Sequence, residues 1–586
     1  MRNEYPRPDA IRDSFISLDQ KWDFDFDDQN IGHQEKWYQR HTFTQKIEVP
    51  FCFESKLSGI EDTSFHDNMW YHLVIPTPKH KADEDVIIHF EGIDYYSELY
   101  INGEKVCSNT SASTGFEANI TDFLNNNDRE EITIYAYDPG RERRIPKGKQ
   151  DWQEKSHGIW YTRTSGIWKP VWIEVVNKER IKTFRFITSL SDNTLKIQLE
   201  SSSKNGRLEV EVFDGNEKRN FSFGIDQIEA EYNCVFDSDY INERIWSIYR
   251  PFLFDITLKL IGEDGKIKDQ IKSYCGFREV STKDGKLLIN GVPTYLKFML
   301  YQGYFKNGIL TPDSIETLKK DIQIMKDMGF NGCRIHQKVE DPYFYYLADK
   351  MGFLVWCECP SIYGYYHHNS IIQINEWQKI IDTNFNHPSI IAYTPLNESW
   401  GVEGIPYSKQ IQAHAMALYY FIHSIDNTRL IISNDGWEQC QTDLLTIHNY
   451  GHGVSYSDPA YLDFKKALST KENIFQYKNI RRFIFNEGYK YEGQPIMLTE
   501  FGGIALESAS KGKNWGYTIA KGKTSFLNDL HRIYEGIAAS TCISGICYTQ
   551  FSDVEQEVNG LLTYDRVLKV EASEIKKLND SLDFKF

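Results

Sequence analysis

Several things are scarce in this sequence, and each scarcity removes a class of function. No run of residues approaches the roughly 18 consecutive apolar positions that a membrane-spanning helix needs, so no membrane partner is expected. Positive charge is in deficit: 66 Lys and Arg stand against 83 Asp and Glu, a net of −17. Such a field repels phosphate backbones and anionic lipid, which argues against nucleic acid as a partner. Cysteine is sparse, ten in 586 residues, and only Cys357 and Cys359 lie close together, on what reads as a buried strand. That pattern fits free thiols in a reducing compartment rather than a disulfide or zinc framework. The opening residues, MRNEYPRPDAIRD, hold no apolar stretch of signal-peptide type, and a cytoplasmic location is expected.

Aromatic side chains, by contrast, are abundant. Phe, Trp and Tyr make up 14% of the chain, with 36 Tyr and 13 Trp. Most must build cores, and the surplus suits recognition of sugar rings, whose C–H faces stack on aromatic faces. Residues 1–177 read as β throughout. Alternating runs such as Val86–Phe90 and Glu98–Ile101 are separated by turn chemistry, including Asn102-Gly103, two residues that tolerate the positive φ of a tight hairpin. A jelly-roll β-sandwich is the expectation there. Residues 178–280 hold further short strands, among them Thr194–Leu199 and Leu208–Phe213, and predict a small immunoglobulin-like sandwich.

From residue 281 to 586 the period changes, and apolar runs alternate with helical patterns. A helix beginning near Pro312-Asp313 places Ile315, Leu318, Ile322 and Met325 on one face and stops at Gly329; another covers about 341–351. The strands are expected at Thr294–Phe298, Asn331–His336, Phe353–Cys357, Ile390–Tyr393, Leu430–Ile432, Leu445–Ile447, Ile496–Leu498 and Gly545–Tyr548. Eight βα units in about 300 residues argue for a (β/α)8 TIM barrel.

Reacting groups in such a barrel sit just past the C-terminal ends of the strands. The fourth strand runs into Asn397-Glu398-Ser399-Trp400 and the seventh into Thr499-Glu500-Phe501-Gly502, so each delivers a glutamate to the rim. Two carboxylates in one mouth are what cleavage of a glycosidic bond requires. One is protonated to expel the leaving oxygen, and the other is ionised to meet the oxocarbenium-like carbon. Around them the strand ends place His336, Glu358, Asp435, Trp437, His448 and Tyr450, a polar and aromatic ring of the kind a sugar subsite needs. Any one of these has an ordinary packing or ion-pair explanation; the combination points to a site.

These residues are those by which the chain resembles glycoside hydrolase family 2, the family of β-galactosidases, β-glucuronidases and β-mannosidases. The two glutamate segments match its signatures, and Ser17–Phe24, Trp70-Tyr71, Tyr100–Gly103, Ser165–Trp168, Gly291–Pro293, Asp327–Asn331, Arg334 and His336 extend the match over nearly the whole chain. The resemblance implies Glu398 as general acid/base and Glu500 as nucleophile of a retaining exo-glycosidase. It also implies Asn397 on the sugar 2-hydroxyl, Tyr450 against the nucleophile and His336 at the −1 sugar. Asp435, Trp437, His448 and Trp400 would complete the substrate site.

The sugar is harder to read. Family β-glucuronidases carry an Asn-x-Lys pair late in the barrel, whereas Glu555–Tyr564 here has acids and no lysine. An acidic rim repels a uronate, so a neutral sugar is expected, most simply a β-galactoside. Glucuronate, mannose or arabinose are alternatives. Thr549–Asp553 stands where many members have a tryptophan, and Gln550 or Asp553 is expected to bind hydroxyls instead. Trp160–Arg163 is the expected loop from the N-terminal sandwich to the mouth, with Arg163 reading hydroxyls. The resemblance implies no cofactor and no obligatory metal, and it permits a dimer or tetramer. Two readings compete with a glycosidase. One is a non-catalytic carbohydrate-binding protein, which the presence of both glutamates disfavours. The other is a metal-dependent barrel hydrolase, which lacks a His-x-His pair after the first strand; His367-His368 fits a loop surface better.

Overall fold

The structure is a computed structural model that describes residues 4–125, 127–476, 482–507 and 515–586. Its first region folds as two facing antiparallel sheets. One has four strands, in the order Ile16–Ser17, Val171–Asn177, Glu84–Phe90, Phe116–Asn119; the other has six, running from Gln45–Glu48 through Lys21–Phe26, Asn68–Pro76, Arg129–Tyr137 and Tyr96–Ile101 to Glu104–Thr110. Trp22, Tyr71 and Ile134 from the larger sheet meet Ile88 and Ile173 from the smaller in one buried core. The hairpin at Asn102-Gly103 forms as expected: both residues take positive φ, 51° and 79°, the geometry that matches strand twist.

A three-stranded and a four-stranded sheet follow, Ile181–Val235 and Gly206–Cys275 being their outer limits. The strand Thr194–Ser201 shows how register is fixed. Leu195, Ile197 and Leu199 are buried while Lys196 and Gln198 are partly exposed, and a slip of one residue would exchange the two sets.

The remainder curls into a parallel sheet of eight strands. These are Leu296–Tyr301, Gly332–Ile335, Leu354–Glu358, Ile390–Thr394, Leu430–Ile431, Leu445–His448, Ile496–Gly502 and Ile543–Thr549, each overlapping the strand expected from the sequence. First and eighth strands pair, which turns the sheet back on itself. Fifth and sixth share no ladder; Asp443 bridges that seam, its N–H donating to Ile431 O at 2.9 Å and its Oδ2 accepting from Ile431 N at 2.7 Å. The first helix begins at Ile315 rather than near 312, because the Ser314 side chain caps it by accepting from the Thr317 N–H. No helix among the described residues is long and apolar enough to cross a membrane.

One segment of the N-terminal region leaves its own sheets and lies across the barrel mouth. Lys147 N and Gly148 N donate to Ser361 O, at 2.9 and 3.1 Å, and Gln556 Nε2 donates to Trp160 O at 2.8 Å. Gly148 is required there: its φ is +59°, and a Cβ would lie 2.2 Å from Gln337 O.

Candidate active site

The fourth barrel strand is apolar to its last residue, so the turn that follows aims its polar groups into the mouth. Glu398 and Ser399 both adopt left-handed φ, 51° and 58°, each at a cost of about 1–3 kcal/mol for a residue with a Cβ. The turn is held by Ser399 N–H donating to Asn434 Oδ1 (3.0 Å) and by Glu398 N–H donating to Asp435 O (2.9 Å). From this turn the Glu398 carboxylate meets Trp400 Nε1 at 3.2 Å and His448 Nδ1 at 2.8 Å.

Glu500 extends from the seventh strand toward the same point. Ligand atoms of Glu398, His448 and Glu500 all lie within 4.8 Å of one another. Tyr450 donates its hydroxyl to Glu500 Oε2 at 2.6 Å, Arg334 Nη2 donates to Oε1, and His448 Nδ1 stands 3.5 Å from Oε2. Burial alone would raise the Glu500 carboxyl; the charges of His448, Arg334 and His336 and the Tyr450 hydrogen bond outweigh it and hold the group at about 2.

Arg334 is the cationic centre of the site. It is fully buried in the second strand and forms ion pairs with Glu500, Asp435 and Glu358. Glu358 also receives His336 Nδ1 and the Gln337 N–H, both at 2.9 Å. Burial pushes Glu358 up, but His336 and Arg334 prevail and keep its pKa below the ordinary value. The role of Arg334 in joining three carboxylates was not anticipated beyond its match to the family. The signal was nonetheless present: an arginine within an apolar strand demands counter-charges.

The other expected site residues fall into two groups. Trp400 touches Glu398, Tyr450 touches Glu500, Trp437 packs edge-on against His448 at 5.4 Å and His336 bonds Glu358, while buried Asn397 Oδ1 and Trp437 Nε1 have no hydrogen-bond partner among the described residues. Asp435, His448 and Gln550 are spent on other protein groups. Asp435 is held by Arg334, His448 Nε2 (3.0 Å) and Thr499 Oγ1 (2.9 Å), and Gln550 by Gln302 and Asn559. Asp553 pairs with Lys569 at 2.6 Å.

The loop from the N-terminal sandwich reaches the mouth, but through other residues than Arg163. Trp160 packs edge-on against Trp400 at 5.4 Å, and Tyr161 donates its hydroxyl to Glu557 Oε2 at 2.5 Å. Arg163 is buried, donates to the carbonyls of Gln153 and Thr63 and lies over Phe65, so it ties the loop together rather than facing a ligand. His367 and His368 are exposed. Lys149, which the sequence did not single out, lines a small cavity with His336 and Gln337, and Glu557, Glu500, Glu398 and Glu358 all act on its charge.

The same chain matches family models along its length. Residues 280–584 match the TIM barrel domain of glycosyl hydrolases family 2, residues 15–143 its sugar binding domain, and 179–278 a third model of that family. The chain belongs to glycoside hydrolase family 2. Among relatives, a β-glucuronidase of Streptococcus agalactiae is 22% identical over 582 residues, covering 90% of this chain and 91% of that protein. A β-galactosidase of Thermoanaerobacter pseudethanolicus is 27% identical over 405 residues, and there the family 2 chain spans only 50% of its relative's length. Among solved structures, a Ruminococcus gnavus β-glucuronidase in complex with D-glucuronic acid superposes with a TM-score of 0.78 at 18% identity, covering 98% of this chain and 99% of that one. At that identity the likeness is one of fold.

Proposed function

We propose that this family 2 glycoside hydrolase is a retaining exo-β-glycosidase, with Glu500 as nucleophile and Glu398 as acid/base, and that its sugar is a β-D-glucuronide. The observation that carries retention is that an oxygen of each carboxylate lies within 4.8 Å of the other. Retaining enzymes separate theirs by about 5–5.5 Å, because no water must fit between carboxylate and sugar; inverting enzymes need about 6.5–9.5 Å. The asymmetry of their surroundings supports the division of labour. Glu500, ringed by Arg334, Tyr450 and His448, stays ionised and attacks the anomeric carbon. Glu398, on the partly open side beside Trp400, gives its proton to the leaving oxygen, then takes one from water as the glycosyl-enzyme is hydrolysed. Asn397, with its free Oδ1, suits the 2-hydroxyl. Asp435 acts as a positioning residue through Arg334 and His448.

Glucuronide replaces the neutral sugar expected from the sequence. It is supported by the β-glucuronidase of S. agalactiae, which aligns with this chain over nearly all of both proteins, and by a cation, Lys149, that lines a small cavity with His336. A β-galactoside is the second reading, favoured by buried Glu557, a natural acceptor for sugar hydroxyls. A panel of nitrophenyl glycosides decides between them: kcat/KM is expected to be highest on the β-glucuronide, and faster turnover of the β-galactoside would reverse the order.

Tyr450→Phe tests the tuning of Glu500. A hydrogen bond to a charged group contributes about 1.5–3 kcal/mol, so kcat is expected to fall about 10- to 100-fold. The acid limb of kcat/KM is expected to move upward as Glu500 becomes easier to protonate. An unchanged pH profile would show that Tyr450 does not hold the nucleophile's charge.

A further inference from the structure

We propose that Lys149, carried across the barrel mouth by the N-terminal sandwich, is the residue that reads the acid group of the −1 sugar. The inference rests on the glucuronide reading above and supplies the specificity determinant that the sequence lacks after the eighth strand.

Residues 147–150 are pinned on both sides. Lys147 Nζ reaches Asp138 Oδ1 at 3.3 Å, its backbone and that of Gly148 bond to Ser361, Tyr363 donates to Gly148 O, and Gln150 Nε2 donates to Asp94 Oδ2 at 2.8 Å. Lys149 is fixed by its carbonyl, which accepts from Tyr161 N at 2.8 Å. Its side chain alone is uncommitted. Lys149 is only 6% exposed, yet among the described residues its ammonium forms no hydrogen bond and no ion pair; it lies 5.5 Å from the centre of the Tyr161 ring. A cation held in a nearly buried side chain with no protein partner is costly for a fold, and a ligand that completes it offsets that cost.

Charge balance identifies the ligand. Glu398, Glu500, Glu358, Asp435 and Glu557 crowd this end of the barrel, and Arg334 is already shared among Glu500, Glu358 and Asp435. A uronate adds another negative charge and requires a cation that is not spent. Lys338 pairs with Glu340 at 2.7 Å and Lys569 with Asp553. Lys149 is left. Burial disfavours its charged form and holds the ammonium below its ordinary range, with Glu557 foremost and then Glu500, Glu398 and Glu358 opposing that shift, and a bound carboxylate would favour the charged form further. Tyr161 couples the two walls: its ring faces Lys149 and its hydroxyl donates to Glu557.

The test compares aryl glycosides that differ only at C6, β-D-glucuronide with β-D-glucoside and β-D-galacturonide with β-D-galactoside, in the wild type, Lys149→Met and Lys149→Arg. Lys149→Met is expected to lower the uronide-to-neutral ratio of kcat/KM by about 100-fold, mainly through KM on the uronide, the loss usual when one partner of a buried charge pair is removed. Lys149→Arg should restore part of it. The melting temperature of Lys149→Met should not fall, because an unpaired buried charge has been removed, and this separates loss of recognition from loss of fold. An unchanged ratio in Lys149→Met, or an equal fall on both members of each pair, overturns the assignment. A wild type that prefers the neutral sugars overturns the glucuronide reading instead; if Lys149→Met still lowers the ratio there, Lys149 keeps its role as the charge reader.

Discussion

Glu500→Ala is expected to lower kcat on an activated glycoside by about 10⁴-fold or more, the scale on which loss of a nucleophile is felt when the rest of the site survives. Glu398→Ala should cost about 10²–10⁴-fold, most on substrates with poor leaving groups, because only they need the proton. Added azide separates the roles. In Glu500→Ala the anion occupies the space the carboxylate leaves and attacks the same face, giving the α-glycosyl azide. In Glu398→Ala it intercepts the glycosyl-enzyme from the opposite face and gives the β-azide. Reversal of that pattern would exchange the two residues, and full activity in Glu500→Ala would remove the proposed mechanism altogether. An oxygen of each glutamate lies within 4.8 Å of the other, an approach that suits direct attack on the sugar rather than attack by an interposed water.

Replacing Arg334 by methionine should have the largest effect on the fold. The side chain is fully buried and pairs with Glu500, Glu358 and Asp435. Removing one member of a buried charge network typically costs about 3–5 kcal/mol, since the remaining charges are left uncompensated. The pH dependence follows from the direction of the shift. The Glu500 carboxyl is held at about 2, below its ordinary value, so its ionisation stabilises the native state above the unfolded pKa, and that contribution disappears as the pH falls through the native one. In Arg334→Met the native pKa rises, the acid limbs of both activity and stability move upward, and denaturant titration across pH 4–7 would reveal it. Wild-type stability and an unshifted acid limb would mean that Arg334 does not govern Glu500.

The fold was legible because its periods are strong. Alternation along Thr194–Leu199 and the βα repeat after residue 281 each permit one arrangement, and every expected barrel strand overlaps an observed one. The two glutamates were legible for a related reason: each ends an apolar strand, where a barrel must present it at the mouth. Asp435, His448 and Gln550 were located but not understood, since the sequence cannot say that their polar atoms are consumed by Arg334, Glu398 and Asn559. Arg163 misled, because an arginine among aromatics looks the same whether it faces a ligand or, as here, two backbone carbonyls. Lys149 was invisible for want of any period or motif: its neighbours in space belong to another part of the chain, brought near only by the crossing of residues 147–150 over the barrel.

That crossing has a consequence for how such a protein diversifies. Glu398 and Glu500 and the strands that aim them belong to one stretch of the chain, while Lys149 and Trp160 belong to another whose sheets have their own core. Selection or design can therefore vary the overlying segment while the strands that carry the two glutamates are inherited intact.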